Sequence, residues 1–90
     1  MVTASYVSPE MKKRFNLDDI EGVIVVAVDG DGKGAAAGVQ VGDIIKEINH
    51  RKIQTVSDYQ QTVSGIKTGE AVNMFIRRIN AGFMVIKIIK

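Results

Sequence analysis

Runs of apolar residues along the chain predict β-strands. Val23–Val28 is β-branched at five of its six positions and shows no polar alternation, which is typical of a strand buried on both faces. Ile44–Ile48 predicts a second strand, followed by a polar tight turn at 49–52 and a brief return at 53–56. The shorter, mixed segment 2–7 is also compatible with a strand.

The C-terminal part of the chain predicts a hairpin. Residues 72–78 and 83–89 are both rich in residues that favour strands, and the linker between them includes Asn80 and Gly82, which suit a turn. Counted together with the other segments, strands dominate the chain.

Two segments carry the signals that start a helix. Ser8 is a suitable N-cap and Pro9 fits the first helical position, so a helix of about two turns is predicted to run from there to Asn16. Ser57 predicts the N-cap of a longer helix over 58–66. Its apolar side would carry residues at helical spacing, together with the residue just before the cap: Val56, Tyr59, Val63 and Ile66.

The glycine-rich segment 29–34 invites comparison with ligand-binding loops. A calcium loop needs an oxygen ligand where Lys33 stands and a bidentate carboxylate where Gln40 stands. A phosphate loop needs serine or threonine after its lysine, and a dinucleotide fingerprint needs a long helix that Gly38 would interrupt. We interpret the segment as a surface turn that leads into a single helical turn at 35–37.

The composition fits one small domain, because the chain has 90 residues, of which 46% are apolar and 24% are charged. Without cysteine, the chain can form neither disulfides nor thiolate metal sites. No apolar run reaches the roughly 18–20 residues of a membrane-spanning helix, so membrane insertion is not expected.

The formal net charge of +2 is unevenly distributed. Residues 1–45 carry four Lys/Arg and seven Asp/Glu, whereas residues 46–90 carry eight and three. A basic half can indicate a nucleic-acid partner. Here the basic residues are scattered, and only two tyrosines and three phenylalanines are available to stack on bases. Nucleic acid is therefore not an expected partner.

Candidate catalytic residues are few. His50 is the only histidine, and it lies beside Arg51 and Lys52, whose charges disfavour a protonated imidazole. The pattern places no serine near it, and no pair of carboxylates shares an apolar face. The chain is therefore predicted to lack an active site, and neither a cofactor nor a metal is expected.

Residues 34–45 read Gly-Ala-Ala-Ala-Gly-Val-Gln-Val-Gly-Asp-Ile-Ile, which resembles the signature of PDZ domains. Ile48 and Asn49 followed by Ile53 resemble its continuation, and the helix predicted next is the element that follows in that family. Residues 8–17 resemble the helix that precedes the first buried strand in PDZ domains of bacterial HtrA/Do-type serine proteases. The C-terminal hairpin most resembles the C-terminal PDZ domain of such proteases.

The resemblance implies a single PDZ-like domain over residues 1–90, as a fragment of a larger protein. It implies a mainly β fold with two helices (α+β class), a partly open sandwich of five or six strands in the circularly permuted order of the bacterial members. Two features depart from the family. Lys33-Gly34 stands where many members have a proline, and the carboxylate-binding loop would fall at Met1 and Val2, where the sequence begins.

A short strand beside an amphipathic helix offers an open edge and an apolar wall, to which an extended peptide can add as a further strand. The predicted peptide-binding residues belong to the first strand and to one side of the second helix: Met1, Val2, Thr3, Ala4, Ser5, Tyr6, Tyr59, Thr62, Val63 and Ile66. For Tyr59, Val63 and Ile66 the alternative is a purely structural place in the core.

The resemblance also implies a function. The chain would be a non-catalytic module that captures C-terminal or extended polypeptide segments, with an apolar terminal residue favoured. In its parent it would be linked to a trypsin-like serine protease domain, in a periplasmic or other extracytoplasmic location, and would serve substrate recognition or regulation. Two alternatives stay open: an assembly module that contacts neighbouring domains or subunits, and a PDZ domain of another host, such as a membrane metalloprotease or a secretion component.

Overall fold

Eight elements of secondary structure make up the computed structural model, which describes residues 2–6, 13–14, 22–28, 32–79 and 81–90. In chain order they are β1 (Val2–Tyr6), β2 (Val23–Val28), α1 (Lys33–Ala36), β3 (Ile44–Ile48), β4 (Arg51–Lys52), α2 (Val56–Ser64), β5 (Ala71–Arg78) and β6 (Gly82–Ile89).

The strands form one antiparallel sheet in the order β1-β2-β3-β5-β6, and β4 pairs with β3 beside this path. The mainly β class with five or six strands is therefore confirmed. Because neighbours in this order are hydrogen-bonded, β1 and β6 lie at its two ends. These two end strands shape the functional surfaces described below.

The core is built from residues that alternate along the strands. In β5, Val72, Met74 and Ile76 are fully buried, as expected for a strand with one face turned inward. Ile45 and Ile48 of β3 and Ile86 and Ile88 of β6 belong to the same core cluster, and α2 contributes Tyr59. Burial of this many branched side chains supplies most of the stabilisation of a small domain.

β2 is buried only in its first half, so the expectation of a strand buried on both faces is wrong. Val23 and Val25 are fully buried, whereas Val26 is 43% exposed. The reason is that β3 pairs only with the start of β2, at Val23 and Ile24. The end of β2 extends past β3 and pairs with β1 alone, whereas the start of β2 pairs with both.

The residue that precedes β2, Gly22, has to be a glycine. Its φ is +150°, and a Cβ atom at this position would lie 2.5 Å from the main-chain oxygen of Ile45. No real side chain tolerates that separation, so the close approach of this residue to β3 requires glycine.

The turn after β3 is shorter than the predicted four-residue turn at 49–52. Asn49 and His50 both have positive φ, at 49° and 66°, as in the two-residue turns that match the twist of a hairpin. β4 (Arg51–Lys52) then pairs back onto β3. Instead of a brief strand at 53–56, the chain makes one more main-chain bond, from Ile53 to Lys46, and enters α2.

Thr55, and not Ser57, caps the N-terminus of α2. The Thr55 Oγ1 accepts a hydrogen bond from the Asp58 main-chain N–H at 3.0 Å, and the Asp58 Oδ2 accepts one from the Thr55 N–H at 3.2 Å. This reciprocal capping box satisfies two main-chain donors at once, which outweighs a lone cap at Ser57. The helix ends at Ser64, so Ile66 lies beyond it.

Part of the predicted first helix lies outside the described residues. Lys13 and Arg14 are described, and both are helical and exposed. The single helical turn predicted at 35–37 is observed as α1 (Lys33–Ala36), followed by Gly38 with a left-handed φ of 98°. Residues 29–31 of the glycine-rich segment and Asn80 lie outside the described residues.

A buried ion pair fastens the loop before β3 to the end of β5. Asp43 is 1% exposed, and its carboxylate accepts hydrogen bonds from Arg78 Nε and Nη2, both at 2.9 Å. Arg78 Nη2 also donates to the Gly38 carbonyl at 2.8 Å, and the Gln40 N–H donates to Asp43 at 2.9 Å. The hydrogen bonds to Asp43 raise the pKa of Arg78 above its usual value, so the guanidinium stays charged throughout the neutral range.

We expect Asp43→Ala to lower the free energy of unfolding by about 3 kcal/mol, because it leaves the Arg78 guanidinium and the Gln40 N–H without their acceptor. Thr55→Ala removes only the helix cap and should lower it by about 1 kcal/mol. Urea denaturation followed by circular dichroism measures both. An Asp43→Ala cost no greater than that of Thr55→Ala would contradict the anchoring role of the ion pair.

Candidate functional site

The candidate site is the outer edge of β1, together with the helix beside it. β1 (Val2–Tyr6) pairs with β2, and no other strand of the described chain pairs with it. Cα atoms of α2 lie within 8 Å of Cα atoms of β1. A strand with one unpaired side therefore runs along a helix, which is the geometry that strand addition requires.

A bulge shapes the pairing of β1 with β2. Thr3 lies opposite Ala27 and Ala4 lies opposite Val25, so Val26 has no partner in β1. A bulge of this kind bends the bulged strand and increases the local twist. The end of β2 that carries β1 is therefore turned relative to the rest of the sheet.

The structure brings together the two groups of residues predicted to bind peptide. Five of them, from Val2 to Tyr6, form β1, and Met1 lies outside the described residues. The other four belong to α2 or follow it directly.

The four helix-side residues differ in burial. Tyr59 is 7% exposed and belongs to the core, whereas Val63 and Ile66 are partly buried and pack against that core. Thr62 is half-buried on the same helix. Thr62, Val63 and Ile66 thus keep some surface that a bound peptide could contact. Tyr59 instead packs the helix against the core.

Lys90 fixes the C-terminal end of α2, and sequence reasoning missed it. Its ammonium group donates to the carbonyl of Val63 at 2.8 Å and to the carbonyl of Ile66 at 2.6 Å. The last carbonyls of a helix have no partner within it, and a cation there also complements the helix dipole. The main-chain N–H of Lys90 pairs with the Glu70 carbonyl at 2.9 Å, which places the side chain at this spot.

Asn49 connects the turn between β3 and β4 to β5 through hydrogen bonds. Its Oδ1 accepts from the Asn73 N–H at 2.8 Å, and its Nδ2 donates to the Ala71 carbonyl at 3.1 Å. Its own N–H donates to the Asn73 carbonyl at 2.9 Å. A side chain that satisfies main-chain groups of another strand fixes the direction in which the chain leaves β3 toward α2.

The described residues offer no site for a metal, since no group of three or more His, Asp or Glu among them is close enough to hold an ion. His50 is exposed in the turn between β3 and β4. None of the helices in the described part of the chain has the length and apolarity to cross a membrane.

Comparison with known families identifies the fold. The family model described as PDZ domain matches residues 24–78. The chain belongs to the PDZ domain family. The PDZ match starts in β2 and ends with β5, and it includes α2, one side of the candidate site.

Curated relatives of this PDZ domain are bacterial proteases. It is 34% identical over 77 residues to a probable periplasmic serine endoprotease DegP-like of Ectopseudomonas mendocina, covering 86% of this chain and 16% of the relative. It is 29% identical over 87 residues to the protein of the same name from Chlamydia trachomatis, covering 96% of this chain and 18% of that one. The chain thus spans less than a fifth of the length of these relatives.

Solved structures share the fold at lower identity. The HtrA-type protease AlgW with decapeptide superposes with a TM-score of 0.85 at 22% identity, covering 98% of this chain and 27% of that one. The HtrA3 PDZ domain bound to a phage-derived ligand superposes with a TM-score of 0.77 at 20% identity, covering 98% and 79%. The resemblance to PDZ domains of HtrA-type proteases is confirmed.

We expect Lys90→Met to loosen the C-terminal end of α2, because it removes the cation that holds the Val63 and Ile66 carbonyls while keeping most of the side-chain volume. Amide hydrogen exchange around Val63 should accelerate about tenfold, equivalent to ~1.4 kcal/mol of local stability. Lys87→Met, an exposed change three residues earlier, on β6, serves as the control. Equal exchange in the two variants would show that Lys90 does not hold the helix.

Proposed function

We propose that this PDZ domain is a non-catalytic module that captures C-terminal or extended polypeptide segments by strand addition. The observation that carries the proposal is the position of β1, which pairs on one side with β2 and lies beside α2 on the chain's own surface. The unpaired main-chain groups of such a strand are satisfied when an extended peptide pairs with them.

The geometry divides binding into two contributions. Main-chain hydrogen bonds to β1 give an affinity that tolerates many sequences. Alternate side chains of the peptide turn toward α2, where Thr62, Val63 and Ile66 retain partial exposure. These residues offer mostly apolar surface, which supports the preference for an apolar terminal residue.

The neighbours in fold support this mode of binding. The AlgW structure holds a decapeptide and the HtrA3 PDZ domain holds a phage-derived ligand. Both match 98% of this chain, including the strand and the helix that form its candidate site. The same arrangement of elements is therefore compatible with a bound peptide.

In the parent protein, the module would be linked to a trypsin-like serine protease domain. The DegP-like relatives named as serine endoproteases support this, since the chain matches a segment within each of them. The domain would present substrates to the protease or regulate it, and the periplasmic location in the names of these relatives supports an extracytoplasmic location here.

An assembly role is the second candidate function. The observation that favours it is apolar exposure far from β1, because Phe83 is 52% exposed and Val85 is 68% exposed on β6. Surfaces of this kind mark contacts with other proteins. One domain can carry both surfaces. The place where a free peptide binds therefore distinguishes peptide capture at β1 from an assembly role at β6.

A peptide with a free, apolar C-terminal residue tests the proposal directly. Titration into the isotopically labelled chain should shift amide resonances in β1 and at 59–66, while the same peptide with an amidated end should bind more weakly. Shifts confined to β6, or no shifts at high peptide concentration, would contradict capture at this groove and favour assembly.

A bulky side chain on α2 should block the groove. We expect Thr62→Trp to weaken binding of the same peptide about tenfold, equivalent to ~1.4 kcal/mol, because Thr62 is partly buried on the helix that lies beside β1. Gln61→Trp places the same side chain at an exposed position of the same helix and should leave the affinity unchanged. Equal losses in both variants would remove Thr62 from the site.

A further inference from the structure

β6 (Gly82–Ile89) is a second edge strand, at the opposite end of the strand order from β1. Within the described part of the chain, β5 is its one pairing partner. It runs for eight residues opposite β5 without a register shift. It contains neither a proline nor a bulge, and Lys87 is its one charged residue, so the edge carries few of the devices that block strand addition.

The pairing pattern shows which main-chain groups of β6 point outward. The Lys90 N–H bonds to the Glu70 carbonyl, and antiparallel pairs alternate between hydrogen-bonded and non-hydrogen-bonded. Counting back by two therefore makes the pairs of Ile88, Ile86 and Met84 hydrogen-bonded. The N–H and C=O groups that face away from β5 are those of the residues between them: Phe83, Val85, Lys87 and Ile89.

The same four residues carry exposed side chains on the face of the sheet opposite the core. Phe83, Val85 and Ile89 are 52%, 68% and 47% exposed, and Lys87 is exposed beside them. The Phe83 ring stacks on Phe75 of β5 with the ring centroids 5.4 Å apart. An apolar strip thus follows the open edge.

Cationic side chains flank this strip. Lys46 and Arg77 each lie 5.3 Å from the centroid of the Phe83 ring. Neither of them, nor Lys87, forms an ion pair with a carboxylate of the described residues, and Arg77 Nε has no hydrogen-bond partner there. Among the acidic residues of the described chain, Glu47 lies on the same face of the sheet as these cations, where it is paired with Phe75.

We propose that the β6 edge is a second docking surface, which takes an extended segment of another protein with alternating apolar residues and a carboxylate opposite Lys87. Such a strand would lie about 4.8 Å from β6 and pair with the outward main-chain groups. Its apolar residues would then lie beside Phe83, Val85 and Ile89. Charge decides between this occupant and a second copy of the chain.

If two copies of the chain paired through β6, Lys46, Arg77 and Lys87 of both copies would lie on one continuous face of the joined sheet. Like charges across strands are destabilising, whereas a carboxylate opposite Lys87 gains an ion pair. The net charge of residues 46–90 is positive, with eight basic and three acidic residues, which also attracts an acidic segment. An acidic, apolar strand is therefore the better match.

The probe is a seven-residue peptide with acetylated and amidated ends, so that it lacks the free carboxylate expected to favour the β1 groove. It carries valine at its first, fifth and seventh positions, glutamate at its third, and threonine between them. In an antiparallel pairing the glutamate faces Lys87. The control peptide has lysine in place of the glutamate.

Titration into the labelled chain of 90 residues should shift the amides of β6 at a lower peptide concentration than those of β1. The glutamate peptide should bind about fivefold more tightly than the lysine peptide, as expected for one cross-strand ion pair replaced by a like pair. Lys87→Glu, an exposed change, should reverse this preference.

Three outcomes would overturn the proposal: shifts in β1 instead of β6, equal affinities for the two peptides, or a preference that Lys87→Glu leaves unchanged. Self-association of the chain through β6 in sedimentation equilibrium without peptide would identify a second copy as the occupant and would also overturn it. Failure here leaves the β1 groove untouched, because that site is tested with a free C-terminus and with Thr62→Trp.

Discussion

A strand at the edge of a sheet keeps half of its main-chain donors and acceptors unpaired, and β1 is such a strand in the described chain. In the function that we propose, an extended peptide pairs with these groups. The bulge at Val26 turns the end of β2, and α2 lies within 8 Å of β1. An exposed strand edge by itself invites unspecific pairing. The bulge and the helix turn this edge into a groove, one side of which is the apolar side of α2.

Contacts distant in sequence hold the elements that form this groove. The Asp43–Arg78 pair ties the loop that precedes β3 to the end of β5, across the sheet. Asn49 fixes the turn that leads to α2, and Lys90 holds the end of that helix. Each contact satisfies main-chain groups or a buried carboxylate, so the position of α2 against the sheet depends on side chains that are distant from it in sequence.

The strands of the core were predictable because their signal is local: β-branched runs and alternation in β5 reflect burial directly. The N-cap of α2 was not predictable in the same way. Ser57 and Thr55 are both good caps, and only the reciprocal bond with Asp58 decides between them. The exposure of Val26 depends on where β3 stops pairing, and Asp43–Arg78 joins residues that are 35 positions apart. The strand and helix of the candidate site were predicted and are adjacent, whereas the role of Lys90 follows only from the fold.

The most direct test of the central claim is residue-resolved hydrogen exchange of the β1 amides, measured with and without a peptide that ends in an apolar residue. In the absence of peptide, amides that face β2 should be protected and those between them should exchange rapidly, because edge strands alternate in this way. Peptide should slow the rapid set. Uniform protection of β1 without peptide, or rapid exchange that peptide leaves unchanged, would show that this edge is not the binding surface.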